Sequence, residues 1–200
     1  MDTAIPPPDR RYELFVIAGG KRFYFRNDDC GVTLDGDGIA WTRNGEEARA
    51  PLNTIREVRL QSGGDWRNAV NSCQIIFAGG HTLAVTDAGA HGAVDHARTP
   101  AYRAFVGDLH GRLEIAKLSA SIAFIAGYTQ GRYMVVLVCA ILLGLMGVAA
   151  PLVLLFIVRD IKVLGLLVAG SFLCWPLARM VMANAPRSYN PSYPPIELLE

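Results

Sequence analysis

The chain has 200 residues, a formal net charge of +1 and a hydrophobic fraction of 52%. A charge this close to zero provides no whole-molecule attraction to nucleic acid, so a nucleic-acid partner is not expected. The charges are concentrated in one part: 15 of the 19 Lys and Arg and 15 of the 18 Asp and Glu lie in residues 1–132. The chain therefore divides into a polar part and an apolar part.

The first element is an N-terminal segment, residues 1–20. Met1 to Arg11 is polar, is interrupted by prolines and lacks the apolar stretch of a signal peptide, which predicts that the first domain stays in the cytosol. Tyr12–Ala18 is either an additional strand or the partner of an edge strand.

Short β segments separated by turn residues are predicted between Lys21 and Asp87. Asn44-Gly45 favours a tight hairpin between two of them, because both residue types tolerate positive φ. The seven predicted strands are Lys21–Arg26, Gly31–Leu34, Gly38–Arg43, Glu47–Leu52, Thr54–Leu60, Asn71–Phe77 and His81–Thr86.

One helix is predicted to follow the strands, with Thr99 as its N-cap and Pro100 at its first helical position. Its apolar positions recur at helical spacing, so they form a stripe that can cover a curved sheet. These positions are Tyr102, Phe105, Val106, Leu109, Leu113 and Ala116, whereas Arg103, Asp108, Arg112 and Lys117 occupy the other side.

This order of elements resembles a pleckstrin-homology-like domain, in which seven strands precede one C-terminal helix. The resemblance rests on GIAWTR with Asn44-Gly45, on TIREVRL, on CQIIFAGGHTLAV and on the helix AYRAFVGDLHGRL. The resemblance covers about half the chain. The whole chain is similar to bacterial membrane proteins that join such a module to transmembrane helices. The resemblance implies an α+β membrane protein with a seven-strand β barrel or sandwich over residues 21–118.

The apolar part contains two predicted transmembrane helices, residues 133–158 and 163–183, after an interfacial linker over 119–132. The first contains 26 residues without a charge, and about 20 are enough to span a bilayer. Because only Arg159 to Lys162 separate the spans, the pair is a hairpin with both termini on one side. Five positive charges flank the outer ends of the two spans, and two lie in the turn between them. This bias favours a bacterial inner membrane with both termini on the cytoplasmic side.

Small residues recur in both predicted spans and allow close helix contacts in lipid. They are Ala140, Gly144 and Gly147 in the first span and Gly165 and Ala169 in the second, with Gly170 and Ser171 beside them. Two interpretations remain open: the two helices pack on each other, or one seam docks a larger membrane complex. The Pro-rich tail, residues 184–200, ends in apolar residues, and it lies either on its own domain or on a partner.

No catalytic set, cofactor motif or metal spacing stands out in the sequence. His91, Asp95 and His96 imitate a metal site but lie in a Gly/Ala-rich loop without a fourth ligand. Cys30, Cys73, Cys139 and Cys174 have no paired spacing, so reduced thiols are the default.

Basic side chains provide the candidate contact residues. Lys21, Arg22 and Arg26 lie near the predicted first hairpin, where the resemblance implies lipid-headgroup binding. Because their spacing is poor and Asp28 and Asp29 follow at once, the sequence itself favours a solvated strand edge here. Arg56 and Arg59 are predicted on an exposed strand face, and the alternative is that they form a contact surface with the nearby Trp66.

These observations favour a non-enzymatic, membrane-anchored interaction protein. Its partners would be membrane lipids and other membrane-protein subunits, and it would be an accessory or assembly subunit of an inner-membrane complex, for example a respiratory or photosynthetic one. The alternative is a lipid-headgroup sensor that uses the Lys21–Arg26 region.

Overall fold

A computed structural model describes residues 8–18, 30–43, 46–63, 70–89, 92–158 and 161–199. These residues divide into two compact units, which we call the β unit and the helical unit. The β unit contains the described residues of 1–126 and 187–200, and the helical unit contains Gly127–Pro186. The architecture is α+β, with a large mixed sheet and two long apolar helices.

The β unit is built on a sheet that has nine strands in the described part of the chain. Their spatial order is β4-β3-β2-β1-β7-β6-β5-β8-β9. All neighbours pair antiparallel except β5 and β8, which run parallel. The strands are β1 Arg10–Ala18, β2 Cys30–Leu34, β3 Gly38–Arg43, β4 Glu46–Pro51, β5 Ile55–Gly63, β6 Val70–Phe77, β7 Thr82–Thr86, β8 Ala123–Ala126 and β9 Arg187–Ser188.

Six of the seven predicted strands correspond to β2 through β7, with ends displaced by at most a few residues. The seventh, Lys21–Arg26, lies outside the described residues. Tyr12–Ala18 belongs to β1, an interior strand that pairs with both β2 and β7. Within the described residues the sheet is open and has nine strands, because β1, β8 and β9 join the six strands that match the prediction.

The helix α1, Thr99–Ile115, packs its apolar stripe into the core of the β unit. Tyr102, Phe105, Leu109 and Leu113 are each fully buried, as the helical spacing predicted. The predicted N-cap was wrong by one residue: Arg98 holds that position, and the Thr99 hydroxyl donates to Asp87 Oδ2 at 3.4 Å.

Arg112 differs from its predicted place on the polar side of the helix, because it is only 3% exposed. Its guanidinium donates to the carbonyl oxygens of Asp35 at 2.5 Å and Pro8 at 2.6 Å. Nearby, the Tyr12 hydroxyl donates to the Asp108 carboxylate. Polar side chains of α1 therefore fasten the N-terminal strand to the helix.

The segment after α1 also differs from the sequence-based expectation. Residues 119–132 were predicted to form an interfacial linker, but Ala123–Ala126 forms β8 and pairs with β5 from Glu57 to Leu60. Phe124 and Ala126 are buried in the core of the β unit. A strand of four residues has too little alternation to be recognised by its sequence pattern.

The helical unit contains two helices that are long and apolar enough to cross a membrane, Gln130–Val158 and Val163–Ala183. The first comprises α2, Gln130–Gly144, a π-helical turn, Leu145–Ala149, and α3, Ala150–Val158. The second is α4, Ile161–Ala183. Pro151 follows the π-helical turn and cannot donate to the carbonyl four residues earlier, which accounts for the irregular winding there.

Candidate functional site

The predicted basic contact residues have different outcomes. Lys21, Arg22 and Arg26 lie outside the described residues, so headgroup binding there stays a prediction. Arg56 is exposed, as expected. Arg59 is buried to 7% exposure, and its Nη2 lies 2.6 Å from the Glu57 carboxylate.

Arg59 is buried because β5 is an interior strand. Arg59 pairs with Gln74 of β6 on one side and with Ile125 of β8 on the other. Arg59 forms a structural ion pair with Glu57, which neutralises its charge. It therefore does not form an exposed basic patch with Arg56.

The two apolar helices approach each other at Gly147 and Gly170. A Cβ built on Gly170 would overlap the Gly147 carbonyl, and a Cβ built on Gly147 would lie 3.4 Å from Cys174 Sγ. Glycine is therefore required at position 170 for the helices to lie this close. Gly147 was a predicted packing residue, whereas Gly170 was noted only as a small residue beside Gly165 and Ala169 in the second span.

Other predicted packing positions do not lie in this contact. A Cβ built on Gly144 or on Gly165 would have no heavy atom of another part of the chain within 4 Å. Ala140 is partly exposed and Ala169 is exposed. Gly144 and Gly165 therefore have open space beside them, and Ala169 lies on the surface of the helical unit.

The two ends of the helical unit are held together by backbone contacts. The Tyr128 N–H donates to the Asn184 carbonyl at 3.0 Å, and Gly127 has a φ of +88°. A Cβ on Gly127 would lie 2.5 Å from the Asn184 carbonyl oxygen, so only glycine fits. Arg132 stacks on the Tyr128 ring at 4.2 Å and Arg179 on Trp175 at 5.9 Å, residue types that concentrate at membrane interfaces.

The segment Arg187–Leu199, which we call the tail, packs on the β unit of its own chain. The sequence left open whether the tail lies on its own domain or on a partner, and the structure supports its own domain. Ser188 and Arg187 pair with Ile125 and Ala126 of β8, and the Tyr189 N–H donates to the Phe124 carbonyl at 3.1 Å.

Side chains add to this attachment of the tail. Leu198 is fully buried in the core of the β unit. The Arg103 Nε donates to the Leu199 carbonyl at 2.8 Å, and the Ser192 hydroxyl donates to the Glu114 carboxylate at 2.5 Å. The tail is thus part of the fold of the β unit, although the two candidate membrane helices separate it from the rest in sequence.

His110 of α1 forms the polar centre of this attachment. It is 3% exposed, and its Nδ1 lies 2.8 Å from the Val106 carbonyl oxygen while its Nε2 lies 2.9 Å from the Tyr189 hydroxyl. A carbonyl only accepts, so Nδ1 carries the proton of the neutral ring and Nε2 accepts from Tyr189. The Phe124 ring lies 5.3 Å from the His110 ring, centroid to centroid.

Burial lowers the pKa of His110 below its ordinary value, because an imidazolium would lose hydration there. The Val106 hydrogen bond and the charge of Glu114 act in the opposite direction. Burial likewise raises the pKa of the Tyr189 hydroxyl. Both groups are therefore neutral around pH 7, and their hydrogen bond joins two uncharged side chains.

A second buried polar cluster surrounds Asp87, which is 3% exposed. Its carboxylate accepts from the Asn71 backbone N–H at 2.7 Å and from Asn71 Nδ2 at 2.9 Å. Burial raises the pKa of Asp87, although these hydrogen bonds act to lower it. The cluster joins the start of β6 to the start of α1.

The metal-site-like set His91, Asp95 and His96 is not brought together as a site within the described residues. Asp95 accepts from Arg98 Nε at 2.9 Å, and His91 lies outside the described ranges. Among the described residues, no group of three His, Cys, Asp or Glu side chains comes together as a metal site would require.

Sequence reasoning assigned no role to His110 or Tyr189. The available signal was the apolar end of the tail, Ile196, Leu198 and Leu199, which is unusual for a disordered segment. No protein-family model matches the chain, and a search of curated proteins finds no match.

Proposed function

We propose that this chain is a two-pass protein of the bacterial inner membrane that acts as a non-enzymatic accessory or assembly subunit of a larger membrane complex. In this proposal the helical unit is the anchor and docking element, and the β unit is an interaction module on the cytoplasmic side. The observation that carries the proposal is the outward-facing apolar surface of both helices.

Only 6% of the most apolar 18-residue stretch of each helix is buried within the chain. Phe172 is 83% exposed, and Phe156 and Met146 are each 75% exposed. Water solvates such a surface poorly, whereas lipid tails or neighbouring apolar helices cover it without cost. This supports insertion of both helices into a bilayer.

The attachment of the tail supports a hairpin topology. The strand β8 directly precedes the first helix, β9 directly follows the second, and the two strands pair with each other. If both helices span, their outer ends must therefore lie on one side of the membrane. The bias of five flanking positive charges to two favours the cytoplasmic side.

The order of elements in the β unit supports a pleckstrin-homology-like module. Six of the seven strands expected for the module are β2 to β7, the interior strand β1 pairs with β2 and β7, and α1 follows them with its apolar stripe in their core. In this proposal β8 and the tail are additions that connect the module to the membrane helices.

The open positions Gly144 and Gly165 support docking of a further helix. Contact within the chain uses Gly147 and Gly170 instead, so this second set of small residues is available to another membrane protein. Ala140 and Ala169 extend each position by one helical turn.

Co-purification tests the subunit proposal. The full-length protein, tagged and extracted in mild detergent, should bring stoichiometric companions that mass spectrometry identifies. Gly144→Leu and Gly165→Leu should each remove a companion, because the larger side chain blocks a close helix contact. Leu142→Ile, at a site already 55% exposed, is the matched control and should retain the companions. A monodisperse protein without companions would contradict the subunit proposal.

Membrane orientation needs a separate measurement. A reporter inserted in the turn between Arg159 and Lys162 should read as periplasmic, and one fused after Glu200 as cytoplasmic. A cytoplasmic reading from the turn would reverse the proposed orientation.

A further inference from the structure

We propose that His110 and Tyr189 form a pH-sensitive latch, through which protonation of His110 releases the tail from the β unit. Several contacts attach the tail to α1 and β8, and of the three side-chain hydrogen bonds described above the His110–Tyr189 bond is the most buried. A change in the charge of His110 therefore acts at the centre of the attachment.

The geometry of the ring determines what protonation does. The Nδ1 position is already occupied by a proton donated to Val106, so the added proton can go only to Nε2. There it meets the Tyr189 O–H, which had been donating to the same nitrogen at 2.9 Å. Tyr189 must turn its hydroxyl hydrogen away and accept instead, and the resulting cation remains in a site that is 3% exposed.

The groups around His110 compensate this charge poorly. On α1, Glu114 attracts the cation, but its side chain is exposed and accepts from Ser192 of the tail. From β8 the neighbour is the Phe124 ring, and from the tail it is the Tyr189 ring, with centroids 5.3 and 5.7 Å from the imidazole. The Cys73 thiol of β6, near Tyr189, is fully buried and stays protonated, so it carries no negative charge that would stabilise the cation. Hydration is gained only if the tail leaves.

The site has a favourable position for control of the tail. Tyr189 follows β9 directly, so loss of its side-chain contact weakens the two-residue pairing of β9 with β8. Release would also withdraw Leu198 from the core and leave the outer edge of β8 without a paired strand. The latch thereby couples acidification to the exposure of a strand edge and an apolar cleft.

The ordinary pKa of a solvent-exposed imidazole limits how far acid can raise the population with a released tail. With an ordinary pKa near 6.5, an undocked His110 gains at most about a tenfold preference for protonation at about pH 5.5. The population with a released tail should therefore rise by up to about tenfold between about pH 7.5 and about pH 5.5.

Hydrogen–deuterium exchange of the full-length protein in phosphatidylcholine nanodiscs tests this inference. Exchange in peptides that cover residues 186–199, normalised to the unfolded chain at each pH, should increase in acid by several-fold and by no more than about tenfold. His110→Gln should remove the increase, because glutamine does not titrate. His81→Gln, at an exposed histidine in another part of the β unit, should retain it.

Tyr189→Phe provides a second variant that keeps the ring and removes only the hydroxyl. It should raise tail exchange about fivefold at about pH 7.5, the value of one ordinary hydrogen bond. The inference is overturned if tail exchange in the unaltered protein is the same at both pH values. It is equally overturned if His110→Gln, folded as judged by protection of β5 to β7, keeps the acid response.

Discussion

Replacing Leu198 by alanine tests whether the tail is an integral part of the β unit. Leu198 is fully buried, whereas Ile196, two residues earlier in the same segment, is 67% exposed. Leu198→Ala removes three carbon atoms from the core, at about 0.8 kcal/mol each, or about 2.4 kcal/mol in total. The cavity left behind brings the expected loss to about 3 kcal/mol, within the range for buried leucines. Ile196→Ala should change the free energy of unfolding by less than about 0.5 kcal/mol.

Thermal unfolding of the full-length protein in detergent measures this difference. A loss of about 3 kcal/mol corresponds to a decrease of roughly 10 °C in the Tm of a domain of this size. Trp41, which stacks on Phe77 within the β unit, provides a fluorescence signal for the transition. Equal Tm values for the two variants would refute the burial argument. So would a Leu198→Ala variant that matches the unaltered protein, because the tail would then contribute no stability.

Three further outcomes are expected. The free energy of unfolding should decrease as pH rises from about 4 through the raised pKa of Asp87, because the folded state binds the Asp87 proton more tightly than the unfolded chain. Denaturant titrations at several pH values should show this decrease, and Asp87→Asn should remove it. Gly170→Leu should destabilise the helix pair by about 1–3 kcal/mol in detergent unfolding, through its clash with Gly147, and an unchanged midpoint would contradict the contact. Burial raises the pKa of Cys73 to about 12, so N-ethylmaleimide should leave Cys73 unmodified at about pH 8 until the protein is unfolded; rapid labelling of the folded protein, read by peptide mass spectrometry, would count against it.

Local patterns were sufficient for much of the fold. The hairpin of β3 and β4 was predicted because Asn44-Gly45 joins two short segments that are neighbours in sequence. The apolar stripe of α1 and the two apolar helices were predicted because their periodicity or length is recorded within one segment. Each of these elements needs only contacts between nearby residues to be recognised.

The candidate site depended on contacts between distant parts of the chain. Arg59 was expected on an exposed face, and it is buried because β8, formed far along the chain, covers the outer edge of β5. Gly147 was recognised as a small residue, but only its partner Gly170 identifies which of several glycines meet. A residue type permits such a contact without specifying it.

The sequence by itself determined that this protein has a β-rich part with one amphipathic helix and two apolar helices without buried charges, because hydropathy and turn residues act locally. Only the tertiary structure decided that the tail returns to the β unit, that β8 and β9 pair, and that His110 and Tyr189 share a buried hydrogen bond. The physical reason is that burial of a side chain such as Leu198 depends on surfaces contributed by remote segments, and no pattern within its own segment records them.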